Sequence, residues 1–98
     1  MSRPPKCRRI QFTPSVWFFK PAGIPLRDLS EITLSRDELE ALRLADLEEL
    51  YQEDAAKTME ISRPTFSNIV AAARKKVAQA LIQGLAIRIE GEIPQENP

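Results

Sequence analysis

The stretch Gln52–Val77, QEDAAKTMEISRPTFSNIVAAARKKV, contains the pattern that decides the fold. It predicts a short helix over 53–59, a tight turn, and a long helix over 63–83. Ser62 is a good N-cap for the long helix, because its hydroxyl can accept a hydrogen bond from a first-turn amide. Pro64 fits that first turn, where a missing N–H has no helical partner. Helix, turn and helix in this order are typical of a helix-turn-helix, whose second helix enters the DNA major groove.

The long helix has two contrasting faces. Its apolar residues recur at helical spacing, and they are Phe66, Ile69, Val70, Ala73, Val77 and Leu81. The opposite face consists of Pro64, Asn68, Ala71, Ala72 and Lys75, with Thr65 beside it. Alanines allow a close approach to a groove floor, and Asn68 can bond an adenine edge in two places. Basic side chains near this face can reach phosphates. An ordinary solvated face is the alternative for this helix taken alone.

The predicted DNA-binding residues lie in this helix and in the basic N-terminal arm. They are Arg63, Thr65, Ser67, Asn68, Arg74, Lys75 and Lys76, together with Arg8 and Arg9.

A third helix is predicted before the motif, over 36–47. Ser35 and Glu38 fit a capping box, and Leu34 and Leu39 are placed for a hydrophobic staple. The leucines and alanine of this helix form a broad apolar surface, comprising Leu39, Leu42, Leu44, Ala45 and Leu47. Its carboxylates, such as Asp37 and Glu40, are expected to be solvated.

Both ends of the chain carry strand patterns. Arg8–Phe12 and Val16–Phe19 are candidate strands in a proline-rich arm over 1–30, and Leu85–Ile89 alternates like a half-buried strand. These strands need to pair, within one chain or across a dimer. The prediction is thus a mainly α fold in three parts: the arm, a trihelical helix-turn-helix domain over 31–84, and a C-terminal strand and tail over 85–98.

Several residues of the motif resemble a known family. Signature positions of the helix-turn-helix in region four of bacterial sigma factors match Ala56, Ile61, Ser62, Thr65, Phe66 and Ile69. The stretch 34–42, LSRDELEAL, is similar to the preceding helix of that region. The whole chain also resembles a family of small uncharacterised prokaryotic proteins predicted to bind DNA. The residues that carry this resemblance are the basic start Arg8–Ile10, Phe19–Gly23, Glu40–Asp46, Ile61–Arg63 and Ile89–Gly91. Glu60 departs from the pattern, since such turns usually have glycine there. A left-handed non-glycine residue costs roughly 1–2 kcal/mol, so we expect the turn to be distorted or slightly longer than usual.

The amino-acid composition excludes several kinds of site and several classes of protein. The 98 residues suit one domain, and a hydrophobic fraction of 43% supports a packed core. Without histidine and with a single cysteine, Cys7, the chain lacks the residues of a usual zinc site or an internal disulfide. No membrane span or signal pattern occurs. We therefore expect a cytoplasmic protein that is not an enzyme and needs no cofactor.

The net charge is zero, but the charges are distributed unevenly. Residues 63–88 hold five basic and no acidic residues, whereas residues 28–60 hold eleven acidic and three basic ones. This pattern predicts a basic motif helix and an acidic opposite side.

Two functions fit the sequence. The first is a sequence-specific binder of double-stranded DNA, a small transcriptional regulator that occludes a site or contacts RNA polymerase. The alternative is a protein-interaction module that keeps the helix-turn-helix fold. A homodimer is expected for the first, because two half-sites one DNA turn apart match a two-fold axis. The terminal strands and the apolar end of the long helix are the segments expected to build that dimer.

Overall fold

The computed structural model describes residues 9–91, in which three helices pack beside a short three-stranded sheet. In chain order the elements are β1 (Phe18–Phe19), a 3-10 turn (Leu26–Asp28), β2 (Glu31–Leu34), α1 (Arg36–Leu42), a π-helical turn (Arg43–Leu47), α2 (Gln52–Met59), α3 (Arg63–Gln83) and β3 (Ala86–Ile89). No helix among these residues is long and apolar enough to cross a membrane.

The three predicted helices are confirmed, and their ends follow from the expected local signals. At the start of α1, Ser35 Oγ accepts from the Glu38 amide at 3.1 Å, while Glu38 Oε1 accepts from the Ser35 amide at 2.8 Å. This is the capping box that the sequence predicts. The last residues of the predicted 36–47 helix form the π-helical turn instead of continuing as an α-helix. At the other end of the bundle, α3 stops at Gly84, which is left-handed at φ 69°.

The sheet pairs strands from both ends of the described chain with each other. Its strand order is β1-β3-β2: β3 pairs antiparallel with β1 and parallel with β2. The predicted strands at Val16–Phe19 and Leu85–Ile89 are confirmed in shortened form, whereas β2 was not anticipated. Because β3 is the central strand, it has no open edge for a second chain. Of the two pairings that the sequence leaves open, within one chain or across a dimer, the structure shows the first for β3, while β1 and β2 are the edges of the sheet.

The predicted strand Arg8–Phe12 is also wrong over its described residues, 9–12. Their amides bond to helices instead of to a neighbouring strand. The Arg9 amide donates to the Met59 carbonyl at the end of α2 at 2.9 Å, and the Gln11 amide donates to Glu40 Oε2 at 3.1 Å. Arg8 and Cys7 lie outside the described residues.

The core lies between α1, the π-helical turn, α2 and α3. Its buried members are Ala41, Leu44, Ala55, Ala56, Met59, Phe66 and Val70. The alanines let α2 approach its neighbours closely, and burial of an aromatic such as Phe66 contributes roughly 1.5–3 kcal/mol. Two residues assigned to apolar faces are instead exposed: Leu47 by 74% and Leu81 by 75%. Leu47 ends the π-helical turn, and Leu81 is turned ~100° around the helix from buried Ala80.

Candidate nucleic-acid interface

The turn between α2 and α3 has three residues, 60–62, and a defined geometry. Glu60 is left-handed, at φ 60° and ψ 43°. Its amide donates to the carbonyls of Ala56 and Lys57, and the Ile61 amide donates to Ala56 at 3.0 Å. These bonds satisfy the last carbonyls of α2. A turn of ordinary length thus forms although glutamate occupies its left-handed position.

The N-terminal turn of α3 is fixed by Ser62. Its Oγ accepts from the Thr65 amide at 3.2 Å, which confirms the predicted N-cap. The Ser62 hydroxyl also donates to Thr65 Oγ1 at 2.8 Å. Thr65 is half-buried, so its hydroxyl belongs to the cap and only partly to the surface.

The outer face of α3, defined as Pro64, Asn68, Ala71 and Lys75, is exposed over its whole length. These residues follow one another at helical spacing and line up along one side of the helix. The opposite side is buried at Phe66, Val70 and Ala73. The sequence prediction of two contrasting faces is correct over this part of α3. Ser67 lies at the edge of the outer face and is half-buried.

Two basic side chains, one beside this face and one on it, have no ion-pair partner among the described residues. Arg63 precedes Pro64 and is exposed, and Lys75 closes the face at its C-terminal end. Within residues 9–91, neither has a carboxylate at ion-pair distance. Both can reach a phosphate group without breaking an ion pair within the described residues.

The other three basic residues of the 63–88 stretch are paired with carboxylates. Arg74 makes a two-pronged contact with Asp46, with Nη2–Oδ1 at 2.7 Å and Nε–Oδ2 at 3.1 Å. Lys76 Nζ lies 2.8 Å from Glu38 Oε1 and also donates to the Thr33 carbonyl. Arg88 pairs with Glu31 at 2.8 Å. The expected separation of a basic and an acidic side is therefore wrong at these residues, because the acidic segment packs directly against them.

Asp46 and Arg74 are both ionised at neutral pH. Its side-chain hydrogen bonds lower the pKa of Asp46 and raise the pKa of Arg74. Both side chains are about half exposed. The guanidinium therefore remains near solvent, but a phosphate has to compete with Asp46 for it.

Arg9 lies at the turn rather than on the outer face. Its backbone is held by Met59, and its Nη1 is 3.9 Å from Glu60 Oε2. The basic arm therefore enters the described structure beside the α2–α3 turn.

Glu40 was expected to be solvated, but it is 1% exposed and anchors the arm. Arg43 donates to it from Nε at 3.0 Å and from Nη2 at 2.8 Å, and Arg43 Nη2 also donates to the Gln11 side chain. Burial acts to raise the pKa of Glu40, but the hydrogen bonds from Arg43 and from the Gln11 amide prevail, so its pKa lies below the usual range. The i, i+3 spacing of Glu40 and Arg43 is the sequence signal for this pair.

Residues 9–91 contain no cluster of three or more metal-ligating side chains. The features that the described structure brings together are thus a capped turn, an exposed helix face and two free basic groups.

Comparison with known proteins identifies the family to which the chain belongs. The family described as "Protein of unknown function DUF134" matches residues 1–95. The chain belongs to this family. Its curated relatives carry the name "UPF0251 protein", and those from Desulforudis audaxviator and Halothermothrix orenii are 63% and 56% identical over 91 residues. A third, from Moorella thermoacetica, is 58% identical over the same length.

These matches cover 93% of this chain but 60%, 67% and 61% of the three relatives, respectively. The chain thus spans about two thirds or less of the length of these three relatives. No solved structure shows a significant match to the chain.

Proposed function

We propose that α2, the turn and α3 form a helix-turn-helix that binds double-stranded DNA sequence-specifically, as part of a small transcriptional regulator. The observation that carries the proposal is the outer face of α3. It is exposed, it is built from small and polar residues, and it is backed by a buried stripe that fixes its orientation. Such a face on the second helix of the motif is what major-groove recognition requires.

The scaffold supports this role because it holds α3 rigidly at its N-terminal end. The left-handed Glu60 and the Ser62 cap set the direction in which α3 leaves the turn. Ala55 and Ala56 are buried against the core, so α2 lies close behind α3. A rigid element positions recognition side chains more accurately than a loop.

Asn68 is the strongest candidate for base recognition. It is exposed in the second turn of α3, and its amide can both donate to and accept from an adenine edge. Ser67 and Thr65 are half-buried, and the Thr65 hydroxyl already bonds to Ser62. We therefore rank Ser67 and Thr65 below Asn68 as candidates for base recognition. Ala71 provides the small side chain that permits close approach next to Asn68.

Arg63 and Lys75 are the strongest candidates for phosphate contacts, since both are free and lie on either side of Asn68. They lie ~7 Å and ~10 Å from it along the helix axis, at 1.5 Å of rise per residue. Arg74 and Lys76 rank second, because each would have to leave a carboxylate first. Arg9 would act from beside the turn, and Arg8 is a candidate on the sequence alone, because it lies outside the described residues.

A regulator of this kind acts in the cytoplasm, either by occluding a site or by contacting RNA polymerase. Site occlusion and contact with RNA polymerase are likewise proposals for the longer DUF134 proteins.

One observation favours the alternative, a protein-interaction module. An apolar groove lies on α1 and the π-helical turn, lined by Phe12, Leu39, Leu42, Arg43, Asp46 and Leu47. Glu48 and Glu49 follow Leu47 and are exposed. This surface suits a protein segment that combines apolar and basic residues.

Binding of the protein to mixed genomic DNA fragments over a salt series distinguishes the two functions. We expect selective enrichment of some fragments, and an affinity that falls as salt rises, because phosphate contacts release counterions. Leu47→Gln, which alters the apolar groove, should leave this binding unchanged. A folded protein that binds no DNA at low salt would overturn the proposal and leave the interaction module.

A further inference from the structure

The side of α3 that carries Asn68 continues beyond Lys75 toward the C-terminal end of the helix. Positions 64, 68, 71, 75, 78 and 82 follow one another in alternating steps of four and three. Residues at this spacing lie along one side of a helix. Ala78 and Ile82 are exposed, and Lys75, Ala78, Gln79, Ile82 and Gln83 line one shallow depression. We name Ala78, Gln79, Ile82 and Gln83 the outer-face extension.

The outer-face extension is polar without being charged. Gln79 Nε2 donates to Gln83 Oε1 at 3.3 Å, which holds the two amides side by side. Each amide keeps further donor and acceptor positions after this bond. No acidic residue occurs between Glu60 and Glu90, so α3 carries no group of its own that repels a phosphate. Amide groups can donate to phosphate and sugar oxygens, and Ile82 offers carbon atoms for close contacts with a sugar ring.

The length of α3 indicates which part of DNA this extension meets. Ile82 follows Asn68 by 14 residues, which is ~21 Å of helix. The major groove is ~12 Å wide and ~8.5 Å deep. A straight helix with Asn68 at the groove floor has therefore left the groove at Ile82, because the groove curves away from it. The groups nearest to Ile82 are then sugars and phosphates instead of base edges.

We propose that the outer-face extension binds the sugar–phosphate backbone at the edge of the groove that Asn68 reads, an inference that rests on the proposed function. Gln79 and Gln83 donate to backbone oxygens, and Ile82 packs on the sugars. Because these side chains are uncharged, they add affinity without releasing counterions. They also add no base preference, since the backbone is the same for every sequence.

Gln79→Ala tests the hydrogen bonds of the extension. The probe is the fragment that the parent enriches most strongly from mixed genomic DNA, and affinity is measured over a salt series. We expect the affinity to fall about fivefold, the usual size of one lost hydrogen bond. The salt slope and the base preference should equal those of the parent. This combination differs from the loss of Lys75, which reduces the slope, and from the loss of Asn68, which relaxes the preference.

Ile82→Glu and Leu81→Glu form a matched pair that tests where the backbone lies. The two residues are neighbours and are 84% and 75% exposed. Leu81, however, is turned ~100° around the helix and lies beside Phe19 in a different depression. Both variants add one negative charge to the last turn of α3, so their effects on folding should be equal, which thermal unfolding measures. Ile82→Glu should weaken DNA binding about tenfold by repulsion of nearby phosphates, and Leu81→Glu at most about twofold because of screening by salt.

Two results would overturn this inference. One is equal DNA affinity for Ile82→Glu and Leu81→Glu, and the other is a parental affinity for Gln79→Ala. Lys75→Glu, measured on the same fragment, separates this inference from the proposed function. A protein that loses affinity through Lys75→Glu but not through Ile82→Glu or Gln79→Ala refutes only the extension. A folded parent without DNA affinity refutes the proposed function itself.

Discussion

The two halves of α3 share one helix and one buried stripe, yet they present different surfaces. The first half, residues 63–76, exposes small or polar residues together with guanidinium and ammonium groups. Of these basic groups, Arg63 and Lys75 have no carboxylate partner within the described residues. The second half, residues 77–83, is uncharged and exposes Leu81 and Ile82. The difference teaches that composition alone does not identify a binding surface. What matters is which side chains the rest of the fold leaves unpaired.

The buried stripe gives the largest expected effect. Phe66→Ala removes a fully buried ring beneath the first half, so we expect a loss of about 3–5 kcal/mol in the free energy of unfolding. Leu81→Ala trims an exposed side chain on the second half and should change the stability of the monomer by less than ~0.5 kcal/mol. Denaturant unfolding measures both. Equal effects would mean that Leu81 is part of the core and would remove the contrast between the halves.

Base recognition should depend on the first half only. Asn68→Ala should relax the preference at one or two base positions, by roughly 1–3 kcal/mol each. Gln79→Ala removes an exposed amide from the second half and should leave the preference intact. Selection from a random DNA library, performed with both variants and the parent, gives the comparison. The same binding motif for Asn68→Ala and the parent would exclude Asn68 as a reader.

The ion pairs of the first half offer a smaller and more specific effect. Asp46→Asn releases Arg74 near the outer face, so DNA affinity should rise, and the log–log salt slope should steepen by up to ~0.9. Glu31→Gln is the matched control, because it frees Arg88 from a similar two-pronged pair on β3. It should change neither quantity. If Asp46→Asn behaves like Glu31→Gln, Arg74 does not reach DNA.

Sequence signals predicted the helices well because those signals are local. The capping box of α1, the Ser62 cap and the Gly84 stop each involve residues within four positions of one another. The periodicity of α3 likewise identified Phe66 and Val70 as buried. The N-caps of α1 and α3, the C-terminal end of α3 and its outer face could therefore be derived from the sequence, whereas the end of α1 at Leu42 could not.

What could not be predicted depends on residues far apart in the chain. Strand β2 is only four residues long, and its parallel partner β3 comes after all three helices. Arg74 and Asp46 are 28 residues apart, and Lys76 and Glu38 are 38 apart. Nothing local indicates that these charges meet. The burial of Glu40 was missed for the same reason, since it depends on the Gln11 amide arriving from the arm.

The central claim is that the outer face of α3 binds double-stranded DNA, and Lys75→Glu tests it most directly. Lys75 is exposed and free within the described residues, so its reversal should leave thermal unfolding unchanged. Arg27→Glu makes the same charge change on the exposed 3-10 turn and serves as the control. Affinity for DNA fragments is measured over a salt series for all three proteins. We predict that Lys75→Glu weakens binding and reduces the magnitude of the salt slope by about one unit, while Arg27→Glu matches the parent. Equal affinity and slope for Lys75→Glu and the parent would contradict the account.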